Sequence, residues 1–480
     1  MPISDPKERA EKPRSDIEMS NRQSQKIYKD WREVDIHQFL AECYNGTGGF
    51  SGRTEPKYQG EIVSSYIIPN ASENFYQTRV RMSAYTNYFK KYINAKFNPI
   101  FTSEIKCNVE VDKNIIDNHP YYDFMENITG GGVSAQDFKR AAIRESYIHD
   151  VCYVVMDKAS DSINPFVYLR TPLDLEGYST NEMGALISVM FYEGEEETPT
   201  GKIYKRRYIG VDEWRMEISD NRIDWRVDPE SVVPNNMGII PVYPMFSSRP
   251  EDLTDFKVCN PVNRDIAGMN CWLYDKQSKL DYLIDKQAHS ILKIQGSIDS
   301  LPNGRDNALV IAESDKAIFE PGYISPDSSL PGVHSDRIEQ QVKFMFDLMA
   351  DSGVEAVAAS PGQAESGVSK SFDFVATNDT LKLTVTILAQ FDNWLVSTYK
   401  RFTGDGGVWD ASCEYPTDFM PRASMGAQAY IDLYDFYVAN NLYEAAQDTL
   451  LRLRALIDPM ADKKEMQAIL DEIQTIRAVD

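Results

Sequence analysis

Asn263-Arg-Asp-Ile-Ala-Gly-Met-Asn-Cys-Trp-Leu-Tyr-Asp275 opens an amphipathic run that continues to about His289. Ile266, Met269, Leu273, Leu280, Leu283 and Ile284 fall on one stripe at helical spacing, with Trp272, Tyr274 and Tyr282 off it. Beyond His289 the period changes. Ile291-Leu-Lys-Ile-Gln295 and Ala308-Leu-Val-Ile-Ala312 are short runs of strand type. Between them Ser300-Leu-Pro-Asn-Gly-Arg-Asp-Asn307 is polar, and its Asn303-Gly304 pair signals a tight turn, so a two-stranded hairpin is expected. A second helix is expected from near Ser335, with Ile338, Val342, Met345, Phe346 and Met349 as its stripe. Then Val354-Glu-Ala-Val-Ala-Ala-Ser-Pro-Gly-Gln-Ala-Glu-Ser-Gly-Val-Ser-Lys370 reads as a loop of small residues, followed by about thirty helical residues to Phe402. Helix, β insert, helix, loop and long helix is an unusual order for a globular enzyme. An ordinary helical hairpin would show the same two stripes, so periodicity alone leaves the order unexplained.

Outward from this stretch, residues 1–21 are polar and carry Pro2, Pro6 and Pro13, the composition of a mobile tail. A helix is expected over 22–43, ended by the Gly-rich run 46–52. A second is expected from Ser72 as N-cap to Phe97, stopped by Asn98-Pro99. A third starts at Ser134 and leads into Val151-Cys-Tyr-Val-Val-Met-Asp157, an apolar run that reads as a buried strand. Strand-like pieces at 166–169, 185–193, 204–211, 214–218 and 223–227 are short and separated by turns, which predicts an antiparallel sheet. Asn235-Asn-Met-Gly-Ile-Ile-Pro-Val242 is a turn feeding a strand. Residues 408–419 read as extended, and acid-rich helices are expected at 424–439, 442–457 and 462–476.

The chain has 480 residues, of which 42% are hydrophobic, enough for two or three domains with their own cores. Its net charge is −23. A protein that grips nucleic acid through phosphates carries a basic patch, and this composition argues against one. The acidity serves solubility, or gives a surface past which a polyanion slides without adhering. Cys43, Cys107, Cys152, Cys259, Cys271 and Cys413 are dispersed, so a reducing compartment without a disulfide framework is expected. No apolar leader and no run of about 18 apolar residues is present in the sequence, so neither a signal peptide nor a membrane span is expected.

The sequence carries few signals of chemistry. Gly201-Lys202 is followed by Ile203 and cannot build a phosphate cradle. No Gly-x-Ser-x-Gly or His-Glu-x-x-His occurs. The five histidines, His37, His119, His149, His289 and His334, show no i, i+4 pair. The acidic run Glu193-Gly-Glu-Glu-Glu197 suits a solvated hairpin tip better than a cation site, and Gly130-Gly-Gly-Val-Ser134 suits a capped helix start better than an anion nest. No cofactor, metal or catalytic residue is expected, and the chain reads as a non-enzyme.

Several segments, taken in order, resemble the portal proteins of tailed bacteriophages, of siphophage type. They are Asn74-Phe-Tyr-Gln-Thr-Arg-Val-Arg-Met-Ser-Ala-Tyr-Thr-Asn-Tyr88, the helix and strand over 138–157, Asn164-Pro-Phe-Val-Tyr-Leu-Arg-Thr-Pro-Leu-Asp174, Gly238-Ile-Ile-Pro-Val242 with the run from Asp265, and Ser366-Gly-Val-Ser-Lys370. The likeness covers roughly residues 22–480. It implies an α+β portal-type fold: a helical and β wing at 22–262, stem helix one at 263–290, a small α/β clip at 291–330, and stem helix two at 331–353. A tunnel loop at 354–369, a tunnel helix and wing return at 370–423 and a helical crown at 424–480 complete it. It further implies a homo-oligomeric ring, usually of twelve, at one capsid vertex of a virion assembled in the host cytoplasm. Double-stranded DNA would pass non-specifically through the ring. The terminase large subunit, the major capsid protein, scaffold and a head–tail connector would be its partners. Val354, Glu355, Gly362, Gln363, Glu365, Gly367, Ser369 and Lys370 would face DNA, and Ser300, Asn303, Gly304, Arg305 and Asp306 would meet terminase or connector. Two other classes stay open: a soluble scaffolding or adaptor protein, and an enzyme with dispersed carboxylates.

Overall fold

The computed structural model describes residues 31–51, 65–69, 76–102, 105–111, 114–159, 164–199, 201–247, 256–258, 260–287, 291–295, 308–311, 322–324, 329–351 and 367–416, with helical positions at 434, 437 and 449. In chain order the first helices are α1 (Ile36–Asn45), α2 (Tyr76–Met82) and α3 (Tyr88–Ala95). Strands β1 (Lys106–Val111) and β2 (Asn114–Ile115) come next, then α4 (Pro120–Glu126) and α5 (Ala135–His149). The central β segment comprises β3 (Val151–Asp157), β4 (Phe166–Arg170), β5 (Leu175–Thr180), β6 (Leu186–Thr198), β7 (Gly201–Gly210), β8 (Glu213–Ser219), β9 (Arg226–Val227), β10 (Val233–Pro234) and β11 (Val242–Phe246). After it come α6 (Arg264–Gln287), β12 (Ile291–Gln295), β13 (Ala308–Ile311), β14 (Gly322–Ile324), α7 (Ser329–Asp351), α8 (Gly367–Thr403) and β15 (Asp410–Glu414). The fold is α+β, and among the described residues no helix is long and apolar enough to cross a membrane.

The chain forms two compact units. The first comprises residues 1–93, 141–159 and 166–345. Two of its sheets, β10-β8-β7-β6-β5 with β9 on β8, and β11-β3-β4, are antiparallel throughout, as the turn-separated runs predict. Val151, Tyr153 and Val155 of β3 join Val189, Phe191, Ile209 and Phe256 in one core, so the strand expected to be buried is buried along nearly its whole length. Six consecutive apolar residues exclude water from both faces of β3, which is why it shows no alternation.

Two expected helices are broken. Asp35 caps α1, accepting from the amides of His37 and Gln38, and divides the run expected over 22–43. The helix expected over 72–97 is two short ones. Asn87 ends the gap between them: its Oδ1 accepts from Lys90 N at 2.7 Å, while its Nδ2 donates to the carbonyls of Cys43 and Tyr44 at 3.0 and 2.8 Å. A side chain that bonds the backbone locally competes with helix continuation. Ser72 lies outside the described residues.

The second unit comprises residues 94–140, 160–165 and 346–480. The 37 residues of α8 span about 55 Å at 1.5 Å each. Leu381, Thr384, Leu388, Phe391, Leu395 and Thr398 are buried, a repeat of three and four that keeps one stripe inward. Tyr121, Phe124, Tyr399 and Trp409 close this core with ring centroids 4.8–6.3 Å apart. Strand β15 pairs antiparallel with β1, a pairing that no local period announces. It corrects the cysteine expectation: Cys107 and Cys413 are cross-strand neighbours joined by a disulfide, 306 residues apart in sequence. Cys43, Cys152 and Cys271 are buried and not disulfide-bonded.

Candidate functional site

The residues singled out for function fall on the stretch from α6 to α8. Helix α6 buries Ile266, Ala267, Asn270, Cys271, Leu273, Tyr274, Asp275 and Ser278, whereas Ile284 is 51% exposed. This corrects the expected stripe. Its first half holds and is broadened by polar groups, Tyr274 turns inward, and Leu280, Leu283 and Ile284 are left partly open.

Buried polar bonds fix the first half of α6. Asn270 Oδ1 accepts from Phe89 N at 2.9 Å and from the Tyr85 hydroxyl at 3.2 Å, and its Nδ2 donates to Thr86 O at 2.9 Å. Arg79, 1% exposed, donates to Ser278 Oγ and to Ile68 O, each at 2.7 Å, and stands 3.6 Å from Asp275 Oδ1. Asp275 also accepts from Ile68 N at 2.9 Å and from Lys279 at 2.8 Å. A carboxylate this deep is tolerable because donors surround it. At the helix start Asp150, a non-glycine residue at φ 62°, accepts from Ser247 Oγ and Val262 N, and Asn263 donates to Tyr147 O at 2.6 Å. None of these tethers shows in an apolar period, though a buried Asn or Arg on an otherwise apolar face is the signal that finds them.

The insert is a three-stranded sheet, not a hairpin. Strand β12 lies in the middle, parallel to β13 and antiparallel to β14. Parallel neighbours cannot be the two arms of a tight-turn hairpin, so β12 and β13 do not form the expected one. Ser300, Asn303, Gly304, Arg305 and Asp306 lie outside the described residues, as do Val354, Glu355, Gly362, Gln363 and Glu365. Gly367, Ser369 and Lys370 are in the first turn of α8, not in a loop. On α7 the expected stripe holds: Ile338, Met345 and Met349 are buried.

In the second unit α8 is fixed by a buried charge cluster. Lys139, 1% exposed, contacts Asp392 Oδ1 at 2.5 Å and donates to the Tyr415 hydroxyl at 3.1 Å. The Tyr415 hydroxyl donates to Asp392 Oδ2 at 2.6 Å, and burial, reinforced by that carboxylate, pushes its pKa up. Among the described residues no group of three or more His, Cys, Asp and Glu side chains is placed to hold a metal ion. No protein-family profile matches this sequence, and no curated protein matches it significantly.

Proposed function

We propose that this chain is a portal-type subunit, one of a ring at a capsid vertex through which double-stranded DNA enters and leaves the particle. The observation that carries the reading is the order of elements after residue 263: a 24-residue helix, a three-stranded insert, a 23-residue helix, and a 37-residue helix reached after a short intervening segment. This is the stem, clip, stem and tunnel-helix order of the family that the sequence resembles. Two features support it. The outer half of α6 leaves Ile284 exposed, and α7 leaves Val333 and Phe344 64% and 51% exposed, apolar surface for which adjacent subunits are the proposed cover. The buried tethers of α6 and α8 suit helices that bear load.

In this reading the sheet of β12, β13 and β14 meets the terminase large subunit during packaging and the head–tail connector afterwards. The major capsid protein and scaffold surround the wing, and DNA passes α8 without sequence-specific contacts. Subunits of such a ring meet head to tail and close by rotation. Negative-stain imaging and native mass spectrometry of the purified chain test it. Closed rings of about a dozen subunits with an axial hole are expected. A chain that stays monomeric at high concentration across a range of salt, and also when co-expressed with its scaffold, overturns the reading in favour of an adaptor protein.

A further inference from the structure

Lys139 is placed for more than an ion pair. Its Nζ stands 3.4 Å from Cys413 Sγ and 4.0 Å from Cys107 Sγ. The two cysteines are direct cross-strand partners on β1 and β15, and both are partly exposed, unlike Cys43, Cys152 and Cys271. An accessible sulfur pair with a buried, desolvated ammonium behind it is the environment that favours thiolate over thiol. Asp392 and Tyr415 hold the ammonium under the sulfurs, and each comes from a segment bordering the pair.

We propose that Cys107 and Cys413 form a thiol–disulfide exchange site that takes low-molecular-weight disulfides, with Cys413 as the attacking sulfur and Lys139 as the residue that positions and activates it. In the reduced chain the Cys413 thiolate attacks one sulfur of a small disulfide, forming a mixed disulfide and releasing one small thiolate. Cys107 then loses its proton to solvent and attacks Cys413 Sγ, releasing the second small thiolate. Two protein thiols are oxidised to one disulfide and one external disulfide is reduced to two thiols. The product fastens β15, the strand that follows α8, to β1. Such a pair stays open in a reducing cytosol and closes when the protein reaches an oxidising medium. This site does not depend on the ring reading, and ring formation does not test it.

The experiment uses full-length protein, reduced, freed of reductant and exposed to oxidised glutathione. Aliquots are quenched by alkylation and mapped by mass spectrometry. The expected product is a disulfide linking the peptides of Cys107 and Cys413, with Cys43, Cys152 and Cys271 unreacted. In Cys107→Ser a glutathione adduct should accumulate on Cys413. The pH–rate midpoint of Cys413 alkylation in Cys107→Ser should lie below the ordinary thiol value of about 8.5. Lys139→Gln in the same background should react about tenfold more slowly at pH 7, with the midpoint moved up, and Lys139→Arg should restore the rate. Absence of the linkage in wild type, or a midpoint at or above the ordinary value, overturns the proposal. If Lys139→Gln does not fold, the midpoint of Cys107→Ser and the rate of Lys139→Arg still decide it.

Discussion

His37 and His149 are two lone histidines with no motif around them, yet the fold sets their rings side by side with centroids 5.4 Å apart. His37 Nε2 bonds Val258 O at 2.9 Å, and both Nδ1 atoms are buried without a hydrogen-bond partner. Burial first, and His37 second, push the His149 pKa down to about 3. Burial also lowers His37, against the opposing pull of Asp35 and with a smaller push from Lys257. Glu145 Oε2 lies 3.8 Å from His149 Nε2, so at neutral pH this is a neutral imidazole beside a carboxylate. The unfolded chain takes up a proton near pH 6.5 while the folded chain refuses it until about pH 3, so stability is full above pH 6.5 and falls as pH drops through that window. Between pH 7 and pH 5 His149 alone should remove about 2 kcal/mol of unfolding free energy. Urea titrations at both pH values check this, and His149→Gln should lose most of the difference. An unchanged difference would place the acid sensitivity elsewhere. The sequence shows each histidine but not the pair, because 112 positions separate them and only the tertiary fold joins them.

At the scale of elements, what was legible followed period. Strands β3, β4, β6, β7 and β8 and helices α6, α7 and α8 announce themselves as apolar runs or stripes, whereas β5 (Leu175–Thr180) is not among the expected strands and α7 begins at Ser329, six residues before the expected start. What was not legible was set by single polar side chains or by pairing over long distances. Asp35 and Asn87 each divide a helix by bonding backbone amides, β1 needs β15 as its partner, and a parallel β12–β13 pair looks like a hairpin until the register is known. The stripe of α8 is testable by contrast. Leu388 is 0% exposed and Leu383 54%, so Leu388→Ala should cost about 3 kcal/mol and Leu383→Ala within about 0.5 kcal/mol of nothing. Chemical denaturation followed by Trp394 and Trp409 fluorescence distinguishes them. The helix start also changes how the proposed DNA-facing segment is probed. Gly367 is the first residue of α8, where proline is well tolerated, so Gly367→Pro is expected to leave packaging intact. Gly362→Pro is the informative change: under the proposed function it should lower packaging titre at least tenfold while rings still form. Normal titre from that variant would remove the loop from the mechanism.

At the scale of the whole molecule the chain carries −23 at pH 7, and several cations of its β-sheet are already answered by carboxylates. On the β-sheet Arg170 and Arg207 meet Glu193, Arg206 and Arg215 meet Glu217, and Lys202 and Lys205 meet Glu195 and Glu196. Cations paired in this way have little left for phosphates, since a phosphate must first displace a carboxylate. Purified protein should therefore bind duplex DNA only weakly and without sequence preference in a mobility-shift assay at physiological salt. Tight binding that picks out one sequence would contradict both the charge argument and the proposed passage of DNA.

The amide of Asn270 has a consequence of a mechanical kind. Apolar stripes let a helix roll or slide by small steps, because one ridge replaces another at little cost. Asn270 grips at named atoms, Phe89 N, Tyr85 Oη and Thr86 O, and a rotation of α6 about its own axis breaks all three bonds together. Helix α6 is keyed at this end, like a shaft with a pin. Twist applied at its far end is carried into the 85–89 segment rather than lost as slip.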